Sequence, residues 1–233
     1  MPQGDVQITW LGHAAFRITS PRGKVVYIDP WLGNPKSPEG PDQVRRADAV
    51  LVTHGHFDHL GDAAQIANQT GAKVICIFEI SVWLEAQGVT TAVGMNKGGT
   101  VDLDGIKVTM VHAEHSSGIK GDQGIIPGGS AAGFVVELEN GLKLYHAGDT
   151  TVFGDMRLIG ELYGPELALL PIGGHYTMSP SEAAHAVKLL GVRRVIPMHY
   201  GTFPVLVGTP AELRDALQGT GVEVQEMQPG QTV

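Results

Sequence analysis

Residues 54–59 read His54-Gly55-His56-Phe57-Asp58-His59 and directly follow a short apolar strand that the sequence predicts at Ala49-Val50-Leu51-Val52. In an extended or turning segment, the first two histidines can converge on one metal ion, while the aspartate and the last histidine are offset enough to face a second. A single helix would point the first two histidines about 200° apart. Imidazole and carboxylate, without thiolate, are typical of open catalytic sites for zinc, manganese, iron or nickel. The segment therefore predicts a catalytic metal site.

Composition limits the class of protein. The chain has 233 residues, of which 42% are hydrophobic and 17% charged, as expected for one globular domain. The net charge of -8 leaves no broad cationic surface for nucleic acid. The single cysteine, Cys76, lies in an apolar run and predicts a buried thiol. No basic leader opens the chain and no window reaches about eighteen apolar residues, so we expect no membrane segment and a cytoplasmic location.

Apolar patterning predicts two halves of one domain. The first part reads as a meander of short strands, with a helix at 62–68, and the last third alternates strands with helices. Both late helices open with a hydroxyl residue, a proline and a glutamate three positions on, which is the pattern of a capping box. We expect one domain over residues 1–233, with two sheets and helices outside. The predicted strands are 6–10, 15–18, 25–28, 49–52, 74–77, 100–103, 106–111, 132–138, 142–145, 167–170, 195–198 and 222–227, and the late helices are 180–190 and 210–217.

The spacing His54-x-His56-x-Asp58-His59 resembles the signature of the metallo-β-lactamase fold. The resemblance continues through nearly the whole chain, with a later histidine, an aspartate and a final histidine in the expected order. It implies a four-layer αββα sandwich. It also implies that one metal is held by His54, His56 and His115, that a second is held by Asp58, His59 and His199, and that Asp149 bridges them.

Three further motifs are similar to those of bacterial and archaeal metal-dependent hydrolases related to ascorbate-phosphate lactonase. They are Trp10-Leu11-Gly12-His13-Ala14, Met95-Asn96-Lys97-Gly98-Gly99 and Pro171-Ile172-Gly173-Gly174-His175-Tyr176-Thr177-Met178. This narrower resemblance implies a hydrolase with a small-molecule substrate.

Two divalent ions roughly 3.5–4 Å apart would bind a bridging water, lower its pKa and polarise a substrate oxygen. We expect zinc, with manganese, nickel or iron as alternatives, and a metal-bridging hydroxide that attacks a small ester, lactone or phosphorylated metabolite. Asp58, Asp149 and His175 are the expected catalytic residues, and His175 would donate a hydrogen bond to the oxygen that gains charge. The alternatives are an iron-dependent oxidoreductase on the same fold and a metal-binding protein without turnover. The sequence leaves open whether the protein forms a homo-oligomer.

Several residues have a predicted role outside the metal ligands. Asp29 ends a strand before a proline, as does an aspartate common in this fold, and the resemblance implies that it orients a metal-binding histidine, against the alternative of a plain turn residue. His13 lines the cleft or is an ordinary loop histidine, and Lys97 meets an anionic substrate or lies on the surface. Five glycines in residues 116–130 predict a mobile loop over the cleft.

Overall fold

A computed structural model describes residues 4–233, and its first sheet has six strands in sequence order. The first three strands are antiparallel neighbours, whereas the third to the sixth run parallel to one another. Carboxyl ends of parallel strands share one edge of a sheet, so the residues that follow the third and fourth strands come together. The strands are β1 (Gln7–Trp10), β2 (Phe16–Thr19), β3 (Val25–Ile28), β4 (Ala49–Leu51), β5 (Lys73–Ile77) and β6 (Ala92–Met95).

The second sheet has seven strands. They are β7 (Thr100–Asp102), β8 (Lys107–His112), β11 (Ala132–Glu137), β12 (Lys143–His146), β13 (Leu167–Pro171), β14 (Arg194–Met198) and β15 (Glu223–Val224). The spatial order is β15-β14-β13-β12-β11-β8-β7, and β12 to β15 are parallel. Because β11 is antiparallel to both β8 and β12, these two strands run in the same direction. The carboxyl ends of β8, β12 and β14 therefore lie at one edge.

The glycine-rich segment, for which the sequence predicts a mobile loop, contains an ordered β-hairpin, β9 (Gly118–Gly121) and β10 (Gly124–Pro127). Its base is fixed because the Ser117 hydroxyl accepts a hydrogen bond from the Gly55 N–H at 3.1 Å. A β-carbon on Gly55 would lie 2.7 Å from the Ile119 side chain, so glycine is required for this approach. The mobility of the segment stays a prediction.

Helices cover the outer faces of both sheets. Those beside the first sheet are α2 (Ala63–Thr70) and α3 (Phe78–Ala86), and those beside the second are α4 (Met156–Tyr163), α5 (Pro180–Leu190) and α6 (Pro210–Ala216). A short helix, α1 (Phe57–Leu60), and a 3-10 turn at Pro41–Gln43 complete the elements described. The longest helix has 11 residues, and no helix within residues 4–233 is long and apolar enough to cross a membrane.

Alternating residues of the second sheet divide between two apolar cores. Leu167 and Leu169 of β13 pack into the core between the sheets, whereas Ala168 and Leu170 pack beneath the helices. Both faces are thus buried, as in strands covered by a second sheet on one side and helices on the other. The four layers confirm the predicted αββα arrangement.

Candidate metal centre

Histidines and carboxylates from both sheets gather at one edge of the sandwich. His54, His56, Asp58 and His59 follow β4, and Asp29 follows β3. From the second sheet come residues shortly after the ends of three strands: His115 after β8, Asp149 after β12 and His199 after β14. The chain direction deduced above explains the convergence, because every one of these strands ends at this edge.

His54, His56 and His115 form a first group of donors, called here the three-histidine set. One ring nitrogen of each lies within 4.8 Å of those of the other two. His54 Nε2 is 3.0 Å from His56 Nδ1. Ligand atoms that share a metal with bonds of about 2.0–2.2 Å are separated by roughly 3–3.5 Å. The three-histidine set therefore has spacing that suits one divalent ion.

Hydrogen bonds determine which nitrogen of His54 carries its proton. The Thr53 hydroxyl has one hydrogen, which it donates to Asp29 Oδ2 at 2.6 Å. The same hydroxyl oxygen lies 3.0 Å from His54 Nδ1 and must accept there, so Nδ1 is protonated. A neutral His54 then directs the lone pair of Nε2 toward His56, which is the form a metal requires.

A second group of donors, called here the four-residue set, comprises His13, Asp58, His59 and His199. One donor atom of each lies within 4.8 Å of the others. His13 Nε2 is 3.0 Å from Asp58 Oδ2, and the rings of His13 and His199 have centroids 3.9 Å apart. The motif that contains His13 pointed to the cleft, but not to Asp58, from which His13 is separated by 45 residues.

Asp29 contacts His59, one of the histidines expected to bind metal. His59 Nδ1 lies 2.7 Å from Asp29 Oδ2, and both residues are fully buried. The same carboxylate accepts the Thr53 N–H at 2.8 Å and the Thr53 hydroxyl. With its Nδ1 proton held by Asp29, His59 presents Nε2 to the other donors.

Asp149 connects the two sets. Its Oδ1 lies 3.2 Å from His59 Nε2, and its Oδ2 lies 3.0 Å from His199 Nε2 and 3.7 Å from His115 Nε2. Only 2% of the residue is exposed. A carboxylate in contact with both sets has the placement that a bridging ligand requires.

Burial and the neighbouring carboxylates shift the pKa values of the histidines in opposite directions. Burial lowers the pKa of His54, His56 and His115, which favours their neutral forms. Burial also acts to lower the pKa of His199, but the neighbouring carboxylate of Asp149 raises it to about 9. The pKa of His59 is likewise raised well above its ordinary value, against burial, by Asp149 and Asp29.

The same charge interactions lower the pKa values of the two carboxylates, Asp149 and Asp58. Burial alone would raise the pKa of Asp149, but His199 and His59 hold it well below its usual range. The pKa of Asp58 is lowered in the same way, against burial, by the hydrogen bond from His13 and by the nearby His199 ring. Both carboxyl groups are therefore ionised at neutral pH, as metal ligands must be.

Unpartnered buried atoms test whether a metal fits here. Among the described residues, buried side-chain atoms without a hydrogen-bond partner include His59 Nε2, Asp149 Oδ1 and both ring nitrogens of His199. Buried polar atoms are rarely left unsatisfied, and a bound ion would satisfy atoms of this kind. These atoms also belong to imidazole and carboxylate groups, so the residues present fit a divalent ion.

The two sets open into a cleft of about 580 Å³. Beyond the donors, its wall consists of three aromatic side chains and one serine, namely Phe57, Tyr176, Phe203 and Ser116. No lysine or arginine of the described chain lines it. The sequence had not singled out Phe203 or Tyr176, and neither stands in a spacing that marks a ligand.

The structure does not bring His175 to the donors. Its side chain is exposed and outside the cleft lining, whereas its neighbour Tyr176 lines the cleft. Lys97 also lies elsewhere, with its Nζ 3.0 Å from His112 Nδ1. His146 has a structural role: its Nδ1 accepts the Gly148 N–H, and its Nε2 donates to the Ala14 carbonyl.

Three residues of the centre have left-handed backbone conformations that side chains other than glycine rarely adopt. The φ angles are 53° at His13, 47° at Asp29 and 56° at His199. Such conformations persist only where the surroundings hold them, and they concentrate at functional sites. The His13 carbonyl accepts the His199 N–H at 2.9 Å and the Trp10 indole N–H at 3.0 Å, which fixes the strained turns at His13 and His199 together.

Known proteins resemble this chain over nearly its whole length. A family model described as a β-lactamase superfamily domain matches residues 24–200. A UPF0173 metal-dependent hydrolase of Rubrobacter xylanophilus is 57% identical, over 98% of this chain and 96% of that protein. One from Koribacter versatilis is 51% identical, over 97% of each. The structure of Igni18, a metallo hydrolase of the archaeon Ignicoccus hospitalis, matches with a TM-score of 0.88 and 40% identity, covering 98% of this chain and 97% of that one.

These relatives confirm the fold and the broader resemblance. The narrower likeness to ascorbate-phosphate lactonase stays a prediction, because none of these relatives is described by that activity. The match to the superfamily model covers well over half of the chain. The chain therefore belongs to the β-lactamase superfamily, among its UPF0173 metal-dependent hydrolases.

Proposed function

We propose that this chain hydrolyses a small ester or lactone at a centre of two divalent metal ions. The observation that carries the proposal is the position of Asp149, whose two oxygens contact donors of both sets inside one open cleft. Two ions held there would lower the pKa of a bound water and polarise the substrate oxygen. Zinc suits the imidazole and carboxylate donors, and manganese, nickel and iron are alternatives.

The residues of the chain have distinct roles in this proposal. The three-histidine set would hold one ion and the four-residue set the other, with Asp149 shared. His13 is thus an additional ligand of the second ion, beyond the seven that the sequence suggested. Asp29 and Thr53 position His59 and His54 through their Nδ1 protons, so both rings present the opposite nitrogen.

The reaction needs no co-reactant other than water. The oxygen of water forms a bond to the acyl carbon, the bond from that carbon to the alcohol oxygen breaks, and a proton passes to the alcohol. The hydroxyls of Ser116 and Tyr176 are the polar groups of the lining outside the two sets and Asp149, and in this proposal they hydrogen-bond the substrate. Phosphorylated metabolites are less well supported, because no lysine or arginine of the described residues lines the cleft.

The proposal is tested with zinc-reconstituted protein and three substrate groups: carboxylic esters, lactones and phosphate esters. We expect turnover of esters or lactones, and its loss in Asp149→Ala. An Asp104→Ala variant is a matched control, because Asp104 is an exposed carboxylate that pairs with Lys24 and lies outside both sets. No hydrolysis in any group by fully loaded protein would refute the proposal, as would turnover that persists in Asp149→Ala.

A further inference from the structure

The cleft lining is rich in aromatic residues. Aromatic residues make up 6% of the chain, yet they account for three of the nine side chains that line this cleft. Phe57 is 54% exposed and Tyr176 is 56% exposed. Isolated exposed rings are ordinary on protein surfaces, but grouped apolar side chains in a concave site are typical of ligand pockets.

Two of these rings belong to a supported cluster. The Phe203 ring stacks on Trp31 with centroids 5.8 Å apart and planes inclined by 27°. Phe57 meets Trp31 edge-on at 5.4 Å and lies 6.5 Å from Phe203. Packing of this kind fixes the rings in place, so their exposed faces form a preformed surface. We call Phe57, Phe203 and Trp31 the aromatic wall.

The aromatic wall adjoins the donors directly. Phe203 and Trp31 both make edge contacts with the His13 ring, at centroid distances of 5.5 and 5.3 Å. A substrate whose reacting carbonyl lies at the metal centre would therefore place its neighbouring group against these rings. A charge on that group would find no lysine or arginine partner among the described lining residues, so a charged neighbouring group is disfavoured.

We propose that the aromatic wall and Tyr176 select substrates whose acyl part carries an uncharged, planar apolar group next to the carbonyl, such as an arylacetyl ester. This inference rests on the proposed function, because it assigns the acyl product to the metal centre. It deepens that function by naming Phe203 and Tyr176 as residues that determine specificity.

Binding of three product acids to the zinc-loaded protein tests the inference without turnover. Acetate, phenylacetate and sulfoacetate share a carboxylate on a CH₂ carbon and differ in the substituent of that carbon: hydrogen, an aromatic ring or a permanently anionic sulfonate. We expect calorimetry to show phenylacetate binding about tenfold more tightly than acetate, and sulfoacetate no more tightly than acetate. Equal binding of acetate and phenylacetate would overturn the inference, as would preference for sulfoacetate.

Alanine variants test which residues cause the preference for phenylacetate. Phe203→Ala and Tyr176→Ala should each reduce the advantage of phenylacetate over acetate at least threefold while two zinc ions remain bound. Phe78→Ala is the matched control, because Phe78 is 59% exposed and outside the cleft, and it should keep the full advantage. An advantage unchanged in both cleft variants would overturn the assignment of these residues.

Hydrolysis of the matching methyl esters separates this inference from the proposed function. If phenylacetate is preferred but none of the three esters is hydrolysed, the ligand class stands and the hydrolytic proposal fails. If the esters are hydrolysed with no preference for methyl phenylacetate in kcat/KM, the hydrolytic proposal stands and the specificity inference fails.

Discussion

Replacing Asp29 with asparagine should weaken metal binding, because Asp29 holds the Nδ1 proton of His59. Its carboxylate accepts three buried hydrogen bonds, at 2.8 Å from the Thr53 N–H, 2.6 Å from the Thr53 hydroxyl and 2.7 Å from His59 Nδ1. An amide has one acceptor oxygen, so its NH₂ group must face either the Thr53 N–H or both the Thr53 hydroxyl and His59 Nδ1. Where it faces His59, the proton moves to Nε2, which is the nitrogen directed at Asp149.

Loss of such an orienting partner typically costs 10- to 100-fold in metal affinity, or about 1.4–2.7 kcal/mol. Chelator competition with zinc-loaded Asp29→Asn and wild type measures this difference. Asp62→Asn is the matched control, because Asp62 accepts the N–H groups of Leu32 and Gly33 and no member of either set. Equal affinities in Asp29→Asn and wild type, with the fold intact by circular dichroism, would refute this reasoning.

Three further outcomes are expected. His13→Ala should lower zinc affinity for one of two ions about tenfold or more and leave the other unchanged, as measured by chelator competition; two unaffected ions would remove His13 from the ligands. Lowering the pH from 9 to 6 should lower the zinc affinity of the four-residue set about tenfold per pH unit for each proton that zinc must displace. The reason is that carboxylates raise the pKa of His59 and raise that of His199 to about 9, so these histidines bind protons in this range. The zinc affinity of the three-histidine set should change little over that range, because burial lowers the pKa values of its histidines. A pH titration in which both ions are lost together would contradict this division of the ligands. His175→Ala should keep both ions and change turnover by less than about twofold, because the side chain is exposed; a 10²-fold loss would restore the catalytic role that the sequence suggested.

Local patterns predicted those parts of the fold that depend on nearby residues. The two late helices begin at the expected prolines, with both capping boxes formed at Ser179 and Thr209. Helix α3 was missed because its first residues continue the apolar run of β5, and an apolar run alone does not distinguish a strand from a buried helix. The hairpin at 118–127 was missed because glycine-rich segments more often form irregular turns.

In the candidate site too, the sequence predicts residues that are close along the chain and misses contacts that depend on packing. The donors close to His54 could be predicted because ligand spacing in one segment is visible in the sequence. The approach of His13 to Asp58 depends on how both sheets pack, so no local pattern indicates it. The choice between His175 and Tyr176 is made by the local backbone, where φ is 53° at His175, and neighbouring residues in one loop cannot be told apart in the sequence.

The central claim is that two metal ions share Asp149, and metal content per chain tests it most directly. Zinc-reconstituted wild type, dialysed free of excess metal and measured by elemental analysis, should contain close to two ions per chain. Asp149→Ala should contain one or fewer, because it removes the carboxylate that contacts both sets. One ion or none in wild type, or two tightly held ions in Asp149→Ala, would contradict the account.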